Sequence, residues 1–335
     1  PFFLYYLVHA FYGKNINKAY SFVSRRTIQL KDFIGVFEAI EQEQFVSKGN
    51  KLMQNKLIVE KKSASSLIKK LSSYVESYDY TRILIFGSIL EVVFLWKLRY
   101  SLKIDDFLFK YKLEVSKWFD VIADFESFIS FGLYAYKNRD FVYPDCSENY
   151  TEIKAENLSH PMLKKEVRVF NNILLKKQNH VMIITGANMT GKSTFLRSVG
   201  VNLILAMNGC PVCAQYFKFY PISVFTSMRT TDSLSDGSSY FNSEIQRLKL
   251  LIEKLTNNED QFVILDEILR GTNSIDKLKG SEMFLEKLLN TRVLINCLVA
   301  THDIELTKLE EKYPVDVSNY CFELHNQNGD LIPDY

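Results

Sequence analysis

Gly186-Ala187-Asn188-Met189-Thr190-Gly191-Lys192-Ser193-Thr194 fits the pattern G-x-x-x-x-G-K-[ST] of a phosphate-binding loop. The pattern has force only between a strand and a helix, and both are written here. Val181-Met182-Ile183-Ile184-Thr185 is a short, apolar, β-branched run that reads as a buried strand. After the loop, Phe195, Leu196, Val199, Leu203, Ile204 and Met207 recur at helical spacing until Asn208-Gly209 and Pro211 end the helix. Gly186 and Gly191 let the backbone fold around an anion, so that amide N–H groups and the helix N-terminus face it. Lys192 brings a positive charge to the β/γ-phosphates, and the Ser193 hydroxyl is a ligand for Mg²⁺. Residues 186–194 are therefore read as a nucleotide-binding loop.

Two further stretches answer it. Phe262-Val263-Ile264-Leu265-Asp266-Glu267 is an apolar strand that ends in two carboxylates. Asp266 is expected to hold Mg²⁺ directly or through water, and Glu267 to orient or deprotonate an attacking water. Residues 293–300 form another strand, ending in Thr301-His302. A histidine at the carboxyl end of a parallel strand is placed to reach a γ-phosphate.

The chain has 335 residues, enough for two domains. Its 47% apolar and 14% aromatic content supports packed cores and excludes a disordered chain. A formal charge of +2 neither requires nor excludes a polyanionic partner. The five cysteines, an odd and scattered set, suit a reducing compartment and argue against a disulfide scaffold. Cys210 and Cys213 form a C-x-x-C without a second pair at zinc spacing, and read as small buried residues. No cleavable signal peptide is read, and the expected location is cytoplasmic. The apolar residues 1–12 are too few to span a bilayer. Because the chain starts at Pro1 rather than Met, two readings of them stay open. They are a core helix, or the tail of a longer apolar segment upstream of Pro1 that brings the protein near a membrane.

Along the chain, residues 1–138 read as an almost continuous series of helices. Leu30, Phe33, Ile34, Phe37 and Ile40 make one apolar stripe. Residues 45–62 are polar and basic and read as a connection. Leu67, Leu71, Tyr74 and Val75 mark another amphipathic helix, and 83–96 a buried bundle helix. Residues 104–138 read as one long helix with Leu108, Leu113, Trp118, Phe119, Ile122, Phe125, Ile129 and Leu133 facing inward. Residues 139–157 are polar and irregular, and the second domain, 139–335, alternates strands and helices in the manner of an α/β layer. Ser243 with Gln246 suggests a capping box for the helix of Ile245, Leu248, Ile252 and Leu255. The end of the chain, 320–332, reads as a hairpin around Asn328-Gly329.

These motifs together resemble the MutS family of DNA mismatch-repair ATPases. The family loop T-G-P-N-M-x-G-K-S-T stands here as residues 185–194, with the distinctive Asn188-Met189 pair. D-E-I-G-R-G-T-S-T-x-D-G is similar to residues 266–277, and A-T-H-x-x-E-L to residues 300–306. The signature loop D-x-L-x-x-G-x-S-x-F is similar to residues 232–241, with Gly237, Ser239 and Phe241 on matching positions. Residues 156–161 are similar to the G-R-H-P that precedes the family's ATPase. The resemblance is strong over about residues 120–325.

It implies an α + α/β protein, a helical core/lever-like bundle followed by an ABC-like P-loop ATPase domain that binds ATP and Mg²⁺. It also implies a head-to-tail homodimer in which Gly237 and Ser239 complete the partner's site in trans. Asn188 and His302 would act beside Lys192, Ser193, Asp266 and Glu267. The family clamps DNA without regard to sequence. This chain departs from the pattern at Ala187, Leu269 and Lys277, where the family writes Pro, Gly and Gly. The residues before the loop also leave no room for the family's mismatch-reading domain, and 45–62 is too short for its clamp. Two loads for the engine therefore stay open: mismatched, branched or distorted duplex DNA, or a protein or membrane-linked partner moved by a nucleotide-switched dimer.

Overall fold

A computed structural model describes residues 27, 29–82, 84–146, 152–176, 179–187, 190–228, 240–269, 273–327 and 330–334. The apolar start at 1–12, Asn188, Met189 and the signature residues Gly237 and Ser239 lie outside them. The chain divides into two compact units, Pro1–Phe131 and Gly132–Tyr335.

The first unit is built from helices. Helix α1 (Ile34–Gln42), α2 (Lys48–Asn55), α3 (Ala64–Asp79), α4 (Leu84–Phe94) and most of the long α5 (Trp96–Lys137) belong to it, with a hairpin of β1 (Ile58–Val59) and β2 (Lys62–Ser63) between α2 and α3. The stretch 45–62 is thus not a mere connection. The hairpin turns through Glu60 (φ 50°) and Lys61 (φ 65°), a left-handed pair usually written Asn-Gly. With charged residues there, the sequence carries no turn signal.

The inner face of α5 also differs from the expectation. Ile104, Phe107, Tyr111, Trp118, Val121, Ile122 and Phe125 are buried, whereas Leu113 and Ile129 stand mostly in solvent. The buried set falls on one face of the helix around fully buried Trp118, packed with Phe37, Leu67 and Leu71. Large apolar residues on the opposite face masked that phase. Helix α4 is a second correction: Ile89, Val93 and Phe94 are exposed, so it is not a buried bundle helix. A run that is apolar all round does not reveal which side lacks a neighbour. It ends at Leu95, whose φ of 48° separates α4 from α5. Among the described residues no helix is long and apolar enough to cross a membrane.

The second unit holds two sheets. The larger has the order β12-β11-β6-β10-β9-β8. It comprises β6 (His180–Gly186), β8 (Ser223–Ser227), β9 (Gln261–Asp266), β10 (Ile295–Ala300) and β11 (Val317–Gln327), all parallel, with β12 (Asp330–Asp334) antiparallel at one edge. The smaller sheet, order β3-β7-β4-β5, comprises β3 (Asp145–Cys146), β4 (Glu152–Leu158), β5 (Asn171–Lys176) and β7 (Tyr216–Phe219). Residues 152–157, read as irregular, therefore belong to a strand.

The central strands are buried on both faces, which is why they read as unbroken apolar runs. Met182, Ile184, Phe262, Ile264 and Leu298 face α6 (Lys192–Met207) and the smaller sheet. Val181, Ile183, Val263, Leu265 and Val299 face α7 (Tyr240–Thr256) and α8 (Ser274–Leu289). Since α7 already begins at Tyr240, Ser243 and Gln246 lie inside the helix and do not cap it. Helix α6 does stop where the sequence says. Gly209 sits at φ 72°, Gly209 N–H donates to Ala206 O and Cys210 N–H to Leu205 O, the pair of bonds that closes a helix through a left-handed glycine. The hairpin of β11 and β12 is also present.

Two buried polar residues tie these layers. Asn202, fully buried in α6, donates to Ser159 O (2.9 Å) and Ser198 O (2.7 Å) and accepts from Cys213 N–H (2.8 Å). It fastens the segment before His160-Pro161 to the helix that follows the loop. Cys210 and Cys213 are buried in the same unit, and burial raises both thiols above their ordinary value. Tyr220 accepts from Asn296 Nδ2 at 2.7 Å, and burial pushes its hydroxyl up from 10.0 to about 12. The stability it contributes is therefore complete below pH 10 and lost as the pH rises through about 12. Wild type is expected to lose up to ~3 kcal/mol more than Tyr220→Phe over that window, although the variant is the less stable at pH 8 by ~1 kcal/mol for its lost hydrogen bond. Urea denaturation of both proteins from pH 8 to 12 measures this; parallel curves would refute it.

Candidate functional site

The three motif strands end at one level. In the parallel ladder Ala300 of β10 lies opposite Ile184 of β6 on one side and Asp266 of β9 on the other. Gly186, Asp266 and His302 are thereby brought to the same edge, at the carboxyl ends of the strands, where open α/β sheets take ligands. Beyond the strands the pairing continues through backbone bonds: Thr301 N–H to Ile184 O (3.0 Å) and Glu267 N–H to Ala300 O (2.9 Å).

The loop after β6 is held tightly around its own carbonyls. Gly186 has φ 141°, and a Cβ there would stand 2.5 Å from Phe322 O and 3.2 Å from Thr190 Oγ1. Only glycine fits. Thr190, wholly buried, donates to Ala187 O at 2.9 Å. Gly191, at φ 98°, opens α6 in the left-handed region. Lys192, the first helical residue, is 6% exposed and its Nζ donates to Gly186 O and Ala187 O, both at 2.7 Å. Burial lowers its pKa, and the charges of Glu267 and Asp266 push it back up. An ammonium parked on two carbonyls and facing two carboxylates is available to an anion entering the loop. Ser193 is half-buried and Thr194 and Ala187 are exposed, while Asn188 and Met189 lie outside the described residues.

On the acidic side, Asp266 is 5% exposed and its Oδ2 has no hydrogen-bond partner among the described residues. A buried, orphaned carboxylate oxygen calls for a cation or a donor. No cluster of three or more His, Cys, Asp or Glu side chains suited to a metal occurs among the described residues. That composition fits Mg²⁺, which binds through one or two carboxylates with phosphates and waters rather than in an all-protein cage. The carboxylate of Glu267 meets His302: Nε2 to Oε1 is 2.8 Å.

Three features of the site were not foreseen. Lys277, in the position where the resemblance expects glycine, pairs with Asp303 beside His302 at 2.9 Å. The substitution is visible in sequence; its partner is not. Next to the loop, a cavity of about 180 Å³ is lined by Leu158, His160, Leu163, Val167, Gly191, Thr194, Phe195 and Phe322. Burial, and then the charge of Arg197, hold His160 below the usual histidine range. The third is backbone strain. Glu267 (φ 54°) and Leu269 (φ 59°) are both left-handed without being glycine.

A parallel sheet that sends a glycine turn into a helix N-terminus, with a carboxylate pair at the end of a nearby strand, defines an α/β domain built on a strand–turn–helix unit. Residues 182–335 match the family model described as MutS domain V. The chain is 35% identical over 204 residues to the DNA mismatch repair protein MutS of Fervidobacterium nodosum, covering 60% of this chain and 23% of that protein. It is 32% identical over 247 residues to the protein of that name from Lachnoclostridium phytofermentans, covering 71% and 26%. For that from Petrotoga mobilis the figures are 33% over 214 residues, 62% and 25%. The chain is thus similar to MutS domain V over residues 182–335, in line with the resemblance of its motifs, and spans about a quarter of the length of the relatives it matches.

The left-handed Leu269 yields a prediction. Its side chain is buried, and a Cβ on Gly280 of α8 would come within 2.7 Å of its Cδ1. Leu269→Gly relieves a backbone penalty of ~1–2 kcal/mol but removes a buried leucine worth ~3–5 kcal/mol. The packing loss wins, so the variant is expected to be less stable by ~1–4 kcal/mol. Gly280→Ala gains ~1 kcal/mol of helix propensity but crowds Leu269 Cδ1, so it should be more favourable in the Leu269→Gly background than in wild type. Additive effects in urea denaturation would show that the two positions do not share the space.

Proposed function

We propose that this chain contains the ATP-hydrolysing engine of a MutS-type protein, residues 139–335 forming an ABC-like P-loop domain behind a core/lever-like helical region. The observation that carries the reading is the convergence of Lys192, Asp266, Glu267 and His302 at one edge of the sheet, with His302 Nε2 2.8 Å from Glu267 Oε1. In this reading the amides of 186–191 and the start of α6 bind the β- and γ-phosphates. Lys192 leaves the Gly186 and Ala187 carbonyls for the phosphate oxygens. Ser193 and the orphaned Oδ2 of Asp266 hold Mg²⁺, which supplies positive charge to the phosphate oxygens. The cavity beside Gly191 and Thr194 receives the base end of the nucleotide.

Glu267 orients a water in line with the γ-phosphorus and takes its proton as the new P–O bond forms and the bond to the β–γ bridging oxygen breaks, releasing ADP and phosphate. His302 steadies the Glu267 carboxylate and reports the γ-phosphate, and Asn188 contacts the phosphates from inside the loop. Gly237 and Ser239 complete the site of the partner in a head-to-tail homodimer.

For the load we propose duplex DNA that is mismatched, branched or distorted, bound without regard to sequence. The relatives' printed name, DNA mismatch repair protein, supports that choice. Lys192→Ala is expected to abolish nucleotide binding, whereas Glu267→Gln binds ATP but turns over ~100-fold or more slowly. ATP turnover measured with plain, mismatched and four-way duplexes at two salt concentrations tests both parts. Stimulation selective for DNA structure and fading with salt is expected. Equal turnover by wild type and Glu267→Gln would remove Glu267 from its role, and indifference to every DNA would move the load to a protein partner.

A further inference from the structure

The segment that carries Glu267 is held in an unfavourable shape. Glu267 and Leu269 lie at φ 54° and 59°, a backbone shape that is unfavourable for any residue but glycine. Such strain persists only where the surroundings over-determine it. On the sheet side, Glu267 N–H is fixed by Ala300 O at 2.9 Å. On the far side of the turn Leu269 N–H donates to Glu244 Oε1 at 2.6 Å.

Glu244 is an unusual holder. It lies in the first turns of α7 and is 8% exposed, and its Oε2 has no hydrogen-bond partner among the described residues. A buried carboxylate with one oxygen unsatisfied costs stability. Its bond to the Leu269 amide, charge-assisted when the carboxylate is ionised, is of the strong kind. Leu269 has its side chain pinned as well, in the core against α8. The turn is therefore clamped at both ends, between β10 and α7, with Glu267 between the clamps.

We propose that Glu244 is a positioning residue for hydrolysis: by holding the Leu269 amide it keeps the turn left-handed and Glu267 aimed at His302 and the reacting water. The inference rests on the hydrolytic reading above. Among the described residues Glu244 bonds to Leu269 and not to the loop or Lys192, whose own bonds run to Gly186 and Ala187. Its loss should therefore act on turnover and not on nucleotide binding.

The test compares ATP turnover by wild type, Glu244→Ala, Glu244→Gln, Glu267→Gln and the Glu244→Ala/Glu267→Gln pair. Glu244→Ala should lower kcat ~10- to 100-fold with KM unchanged, the scale of a misplaced catalytic group. Glu244→Gln keeps an oxygen acceptor for Leu269 N–H and should retain wild-type turnover. In the Glu267→Gln background Glu244→Ala should have no further effect, because it acts through Glu267. Equal losses in both backgrounds, a parallel rise in KM, or a Glu244→Gln enzyme as slow as Glu244→Ala would overturn the proposal. Should Glu244→Ala fail to fold, the Glu244→Gln comparison alone decides. Absence of turnover in wild type overturns the hydrolytic reading and this inference with it; normal turnover in a folded Glu244→Ala overturns this inference alone.

Discussion

The parallel register of β6, β9 and β10 is the constraint on which the site depends. Ala300 sits level with Ile184 and with Asp266, so three segments distant in sequence end together. A slip of one residue would turn every side chain of a strand to the other face. The two-sided burial of these strands prevents it: Val263 and Leu265 pack under α7 and α8 while Phe262 and Ile264 pack under α6. Hydrophobic matching on both faces thus sets the position of Gly186, Asp266 and His302 to within a residue.

Around that frame most of the polar groups at the strand ends meet protein partners. Lys192 is bound to backbone carbonyls, Glu267 to His302, and Asp266 keeps one oxygen unsatisfied. Each arrangement has a cost in a buried setting. Asp266 ends β9, and the left-handed Glu267 and Leu269 follow it. Asn202, by contrast, has both ends of its side-chain amide satisfied and fastens layers.

The departures from the family pattern gain a physical sense in the fold. Leu269, where glycine is expected, accepts a left-handed backbone in exchange for a buried side chain lodged beside Gly280. Lys277, also in place of glycine, reaches across to Asp303 and ties α8 to the segment that carries His302. Both changes stiffen the surroundings of the Glu267–His302 contact by contacts that the glycines could not make.

The sequence alone determined the glycine turn between β6 and α6, the acidic strand end, the end of α6 at Gly209 and the alternation of the second unit. All of these rest on local rules: glycine where φ must be positive, apolar runs where both faces are covered, carboxylates where a strand ends. Tertiary structure decided the rest. The inner face of α5 could not be phased because Leu113 and Ile129 are as apolar as Ile104 and Phe107, and only the neighbours distinguish them. The hairpin at Glu60-Lys61 was hidden because neither residue favours a left-handed turn, and packing imposes it. Glu244, Lys277 and the cavity by His160 stayed invisible for a common reason. The partners of Glu244 and Lys277 lie 25 and 26 residues away and the cavity lining runs from Leu158 to Phe322, and no spacing rule connects groups that meet only in the folded chain.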